Sequence, residues 1–304
     1  RGIVMLNDPV IASDTHVIAS EAKQSISNQE IASPSARNDL TLKVGQINFI
    51  NCLPINLPLA KLGLGDKIEY EIFNSVPAVL NQKLSLGELD IAPISSYEYL
   101  QNKEKYQYLD GISISSKIEA DSVLFFCDLD FWQKEKKIIH VTNKSATSVN
   151  LLKVLLKELY KFDLSQIRFE IFDEDERYDA KLLIGDEALQ KDKSQYEEVI
   201  DLGAKWHELT GLPMVFGLWT VNKNSELFKS PELFKFVNRR FLELRDKGFN
   251  EFYPDMIIEA YKETGLSRTL LKNYFKNLDY GFTDKHKKSL ELFESYLSRQ
   301  LAHI

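Results

Sequence analysis

The chain has 304 residues, 44% of them hydrophobic, 11% aromatic and 27% charged, and its 38 Lys and Arg against 45 Asp and Glu give a formal charge of −7. This is globular composition, long enough for one large core or two lobes, and it excludes collagen-like and wholly disordered chains. The acidic balance argues against a broad phosphate-binding face, so no nucleic-acid partner is expected, and on charge alone it also disfavours an anionic small ligand.

Residues 1–41 read differently from the rest. They hold no Phe, Tyr or Trp, and the triplet Ile-Ala-Ser recurs at 11–13, 18–20 and 31–33. They are expected to be a disordered leader, resembling a translated intergenic repeat, with a short capping helix as the alternative. Position 1 is Arg, which suggests a processed chain or a fragment.

From Leu42 the pattern is regular. Leu42–Ile50 alternates apolar and polar residues and predicts a strand, Pro54–Leu64 a helix, Ile68–Phe73 a strand and Val76–Leu86 a helix. Leu89–Ile94 reads as a short buried strand with a helix opening at Ser95-Ser96, and strands follow at Tyr108–Ser115 and Ser122–Cys127. The pattern then restarts. Lys137–Val141 is a strand, Thr142–Ser148 a polar turn, and Val149–Tyr160 a helix. Strands are expected at Gln166–Phe172, Ala180–Ile184, Glu198–Leu202 and Met214–Val221, with short helices from Gly185-Asp186 and over Gly203–Thr210. Four helices close the chain, at Pro231–Lys247, Asn250–Thr264, Ser267–Phe275 and Thr283–Leu301. Such alternation predicts parallel βα units. The expected division is a first lobe of 42–127 plus 217–304, a second of 128–216, and a cleft between them.

Four segments are candidates for chemistry. In Thr142–Ser148, four hydroxyl-bearing residues crowd a strand-to-helix turn. A helix N-terminus leaves N–H groups unpaired and favours a carboxylate or phosphate there. Ser and Thr are also ordinary caps, so capping is the competing explanation. Asn51 lies at the end of the first strand, where ligands of open α/β sheets bind, although an Asn turn explains it too. Ser95 and Ser96 open another strand-to-helix turn, and Ser122 starts a strand heading for the other lobe. All four segments are consistent with facing one cleft.

Other features point away from chemistry. The two cysteines, Cys52 and Cys127, are too few for a disulfide framework, so a reducing, cytoplasmic setting is expected. The histidines at 16, 140, 207, 286 and 303 are never four residues apart, and no metal site is expected. Neither phosphate-loop glycine motifs nor a GxSxG elbow occur. No run of about 18 apolar residues exists, so no membrane partner is expected, and the start has no secretory pattern. Asp173–Arg177 reads as a solvated acidic loop, Lys134–Lys137 and Lys285–Lys288 as exposed basic faces, and Phe241, Leu244, Phe249 and Phe252 as core.

The segments VGQINFINCLP (44–54), LGELDIAPISSYEY (86–99), DGISISSKIEADSVLFF (110–126), VTNKSATS (141–148), LLIGDEAL (182–189) and DLGAKWHELTGLPMVFGLW (201–219) resemble, in order, the MqnA family of chorismate dehydratases. The resemblance implies an α/β fold of the type II periplasmic-binding-protein kind, two α/β lobes around a central cleft. It implies conversion of chorismate to 3-[(1-carboxyvinyl)oxy]benzoate and water in the futalosine route to menaquinone, without metal or organic cofactor. Asn51 matches the family's active-site asparagine and Ser122 its key serine, with Ser96 as the nearby alternative. Ser95 and Ser96, the helix N-terminus formed by Ser145, Ala146, Thr147 and Ser148, and the pair Gly185 and Asp186 are implied to bind substrate. Trp206, Thr210 and Pro213 are read as structural. Where the family has Gly-Pro-Val before its Ser-Val pair, this chain has Lys117–Asp121. The competing readings are a solute-binding protein of the same fold, the related dihydroxynaphthoate synthase, and a ligand-sensing regulatory domain, for which no DNA-binding helix pair is present. No oligomeric state is assigned.

Overall fold

The structure is a computed structural model that describes residues 41–65, 68–171 and 178–301. The leader up to residue 40, the acidic run at 173–177 and the histidine at 303 lie outside the described residues.

The chain begins with strand β1 (Thr41–Ile47), helix α1 (Leu53–Leu62) and strand β2 (Glu69–Ser75), which pairs parallel to β1 with Val44 opposite Ile72. Helix α2 (Pro77–Ser85) returns the chain to β3 (Ile91–Ser95), parallel to β1 on its other side. Helix α3 (Ser96–Gln101) and the long β4 (Tyr106–Ser116) follow. After a crossing at 117–122 come β5 (Val123–Cys127), β6 (Lys137–Val141), α4 (Ala146–Glu158), β7 (Ile167–Ile171), β8 (Ala180–Ile184), α5 (Gly185–Gln190), β9 (Glu198–Asp201) and α6 (Leu202–Thr210). The chain crosses back into β10 (Met214–Asn222). It ends with α7 (Glu226–Lys229), α8 (Pro231–Asn250), α9 (Tyr253–Thr264), α10 (Arg268–Asn277), the short β11 (Leu278–Asp279) and α11 (Asp284–Leu301).

Two sheets result: β11-β4-β10-β3-β1-β2 and β7-β6-β8-β5-β9. The expected parallel units are found in β2-β1-β3 and β7-β6-β8. β10, β5 and the short β11, which runs antiparallel to β4, depart from that expectation. β10 runs antiparallel to β3 and β4, and β5 runs antiparallel to β8 and β9. β5 and β10 are the strands entered straight from a crossing. Each enters its sheet from the other sheet rather than through a crossover from a neighbouring strand of its own, the connection that a parallel neighbour requires.

The same pairing moves the sequence-based boundaries. β5, expected in the first lobe, lies between β8 and β9 in the second sheet. The first crossing therefore precedes Ser122 rather than following Cys127. Met214, expected in the second lobe, opens a strand of the first sheet. The tail is also divided. Phe241 and Leu244 of α8 pack with Trp219 against the first sheet, with the Trp219 and Phe241 rings 4.7 Å apart. Leu290, Phe293 and Leu297 of α11 instead join Trp206, Leu151 and Leu155 in the core of the second. Lys137 departs from the exposed basic face expected of it. It is only 8% exposed, donates to the Lys134 carbonyl and sits 4.9 Å over the Phe162 ring.

Candidate active site

The ends of β1 and β3, the 117–122 crossing, the starts of α4 and α5 and the first part of β10 meet around one cavity. Of the residues singled out in the sequence, Asn51, Ser95, Ser122, Ser145, Ser148 and Gly185 line it. Its walls are apolar, including Ile47, Phe49, Ile94 and Phe216, and no Lys or Arg is among its lining residues.

The strand expected to reach Ile50 stops at Ile47, and a tight 3₁₀ turn covers Ile50–Cys52. Asp186 holds that turn from the other side of the cavity. The Ile50 N–H donates to both carboxylate oxygens of Asp186, at 3.2 and 3.4 Å. Burial pushes the Asp186 carboxyl up to about 6; the Ile50 N–H opposes this and the Glu263 charge adds to it. Asp186 is thus tied to the backbone beside Asn51 and is not itself among the lining residues.

Within the turn, the Cys52 thiol donates to Asn51 Oδ1 at 3.3 Å, and the Asn51 backbone carbonyl accepts from the Tyr280 hydroxyl at 2.7 Å. Burial, reinforced by the Asp186 charge, pushes the Cys52 thiol far up, so its S–H persists as a donor. With Oδ1 engaged, Asn51 has its NH₂ left to present.

Ser122 is 3% exposed. Its hydroxyl donates to the Ala120 carbonyl at 3.2 Å and accepts from the Tyr274 hydroxyl at 3.0 Å. The Ser122 carbonyl accepts from the Gly185 N–H at 2.7 Å. Gly185 has φ of +62°, and a Cβ there would lie 3.2 Å from the Phe49 ring. Only glycine lets the chain turn into α5 so close beneath that ring.

At the start of α4, Ser145 is the cap, accepting from the Ser148 N–H at 3.3 Å. Capping accounts for Ser145 alone. The Ser148 hydroxyl is buried and 3.1 Å from that of Ser145, adding a second hydroxyl to the helix N-terminus at the cavity. Ser95 caps α3, accepting from the Glu98 N–H at 3.2 Å, and is held by Asn81.

The remaining sequence candidates do not line the cavity. The Ser96 hydroxyl is spent on the Val215 carbonyl at 2.7 Å. Thr147 accepts from the Tyr97 N–H at 3.0 Å, tying α4 to α3. Ala146 is the first residue of α4 and contributes no polar side-chain atom. Trp206 Nε1 donates to Ser289, Thr210 donates to the Trp206 carbonyl, and the Pro213 carbonyl accepts from Ser289, in line with a structural reading. Phe49 and Phe216 line the cavity without a signal of their own in segments 44–54 and 201–219, and Tyr274 and Tyr280 reach the site from a tail that carries no motif. Among the described residues no cluster of three His, Cys, Asp or Glu is placed to hold a metal, and no helix is long and apolar enough to cross a membrane.

An apolar slot rimmed by hydroxyls, an amide and a helix N-terminus can hold a flat ligand and its carboxylates without cationic side chains. Two mixed α/β sheets flanking such a cleft define the periplasmic-binding-protein class of fold. The structure is similar to that of protein AF1704 from Archaeoglobus fulgidus (TM-score 0.66, 18% identity, covering 86% of this chain and 97% of that one). It is also similar to the periplasmic aliphatic sulphonate binding protein SsuA from Escherichia coli (TM-score 0.57, 15% identity, 86% and 88% covered). Within that class the chain belongs to the menaquinone biosynthesis family, whose profile matches residues 42–299. Relatives named chorismate dehydratase are 30% identical over 250 residues in Campylobacter jejuni (76% of this chain, 95% of that one) and 27% identical over 252 residues in Thermus thermophilus (77% and 89%).

Proposed function

We propose that the protein is a chorismate dehydratase, a hydro-lyase converting chorismate to 3-[(1-carboxyvinyl)oxy]benzoate and water on the futalosine route to menaquinone. The observation that carries the reading is the match to chorismate dehydratases along nearly their whole length. A cleft rich in neutral donors is consistent with it.

In this reading the proton on the ring carbon bearing the ether is lost, and the hydroxyl on the next carbon leaves as water. Aromatisation supplies the driving force, so the enzyme has only to orient the substrate and assist proton transfer. Neither Asn51 nor Ser122 is a general base at neutral pH. A substrate carboxylate takes the proton while the Asn51 NH₂ and Ser122 hydroxyl hold the reacting geometry. Ser145 and Ser148, at the positive end of α4, hold a carboxylate. Ser95 and Gly185 shape the slot, and Asp186 acts by holding Ile50. The lobes follow the two sheets, with the crossings at 117–122 and 211–213 between them. A cytoplasmic setting keeps both buried thiols reduced.

The test is to mix the purified chain with chorismate and follow mass and absorbance. A product lighter by one water with a new benzoate absorbance is expected; tight binding without turnover refutes the reading. Asn51→Ala is expected to lower kcat by roughly 100-fold while changing substrate affinity much less. Unchanged turnover in that variant removes Asn51 from the site.

A further inference from the structure

The two residues central to the dehydration reading are both backed by tyrosines of the tail, Asn51 at its backbone and Ser122 at its side chain. Tyr280 donates to the Asn51 carbonyl, and Tyr274 of α10 donates to Ser122 Oγ at 3.0 Å across 152 residues of sequence. Tyr274 is 1% exposed, and its hydroxyl has no other hydrogen-bond partner among the described residues. We propose that Tyr274 is a positioning residue that fixes Ser122 as a hydrogen-bond donor toward the cavity.

A phenol has one proton to give, and here it is aimed at Ser122. The Ser122 proton therefore cannot point back into α10 and must be directed elsewhere. In the structure it goes to the carbonyl of Ala120, a residue that lines the same cavity. Rotation about the Cβ–Oγ bond carries that proton from Ala120 to an acceptor oxygen in the slot, with the Tyr274 bond retained. A hydroxyl that accepts from behind is polarised and donates more strongly forward. Burial, the largest influence on Tyr274, pushes its phenol well up, so the proton stays in place throughout the working range. Without the phenol hydroxyl, Ser122 Oγ loses the donor that polarises it and anchors its rotamer, and it donates into the cavity more weakly.

The proposal rests on the chorismate dehydratase reading, and one assay separates the two. Wild type, Tyr274→Phe, Ser122→Ala and the double variant are compared by kcat and KM with chorismate, with folding followed by circular dichroism. Tyr274→Phe is expected to lower kcat roughly 10-fold with KM within about twofold of wild type. In the Ser122→Ala background the same change is expected to cost nothing further, because its effect passes through the serine hydroxyl. A merely structural tyrosine would cost the same factor in both backgrounds. Multiplying losses, or an unchanged kcat in Tyr274→Phe, overturn the proposal. Tyr274→3-fluorotyrosine keeps both ring and donor and is expected to hold kcat near wild type; a 10-fold loss there overturns the proposal even if the Phe variant does not fold. A wild-type chain that leaves chorismate intact removes the dehydratase reading and this proposal with it. A wild type that turns over beside an unimpaired Tyr274→Phe removes the proposal alone.

Discussion

Asp186 and Cys52 show how single residues set the polarity of this site. Cys52 occupies the oxygen end of the Asn51 amide, so a donor remains, and Asp186 takes the Ile50 N–H that the tight turn leaves unpaired. The cost of that arrangement is a carboxyl taken largely out of water. Its folded value of about 6 lies above the ordinary 3.8. Between those values the folded chain keeps a proton that the unfolded chain gives up. Asp186 therefore favours folding as pH falls toward 4, and this contribution is lost as pH rises through 6. Asp186→Asn still offers Ile50 an oxygen acceptor but carries no charge at any pH. Relative to that variant, the wild type is expected to lose stability between pH 4 and 7, by up to roughly 3 kcal/mol. Urea unfolding at pH 4.5, 6 and 7.5 measures the difference, and parallel curves would mean that the Asp186 carboxyl is not desolvated.

At the scale of elements, the crossing that delivers Ser122 is shaped by the start of α6. Asp201 caps that helix through the Ala204 N–H and also accepts from the backbone N–H groups of Ala120 and Asp121. Gly203, two residues on, leaves no room. A Cβ there would stand 2.6 Å from Ser116 Oγ, 2.8 Å from the Ile118 carbonyl and 3.0 Å from the Ala120 nitrogen. Two of those atoms are backbone, so Gly203→Ala must displace the crossing. A loss of roughly 1–3 kcal/mol is expected, with turnover falling as Ser122 moves. Wild-type values for both the urea midpoint and kcat would refute this coupling. The same segment marks what was legible in the sequence. DLGAKWHELTGLP was recognisable as a motif, yet Asp201, Gly203, Trp206 and Thr210 act by holding the crossing and the tail rather than by touching the cavity. The hydroxyls of 145 and 148 were legible because a strand-to-helix turn is local. The direction of β5 and β10 was not, since alternation records a strand's faces and not its sense. Nor were Tyr274, an aromatic at helical spacing that looks like core, and Tyr280, in a connection without a motif, until the fold brings Ser122 and Asn51 beside them.

The whole molecule carries a formal charge of −7, which read alone disfavours the dianion that the proposed reaction consumes. The cavity resolves the conflict locally, with hydroxyls, an amide and a helix N-terminus at its rim and no lysine or arginine in its lining. In the proposed function, short-range hydrogen bonds hold the carboxylates while the long-range field repels them. These two parts respond differently to salt. Bonds inside a partly dry slot are little screened, whereas repulsion across solvent fades once the Debye length drops to about 10 Å near 0.1 M salt. Raising the concentration of a non-coordinating salt is therefore expected to increase kcat/KM for chorismate through faster encounter, with kcat unchanged. A site built on cationic side chains gives the opposite sign, because salt then screens the attraction that brings the substrate in. Steady-state kinetics at 0.02 to 0.3 M salt decides between them, and a kcat/KM that falls across that range would mean that lysines or arginines govern substrate capture.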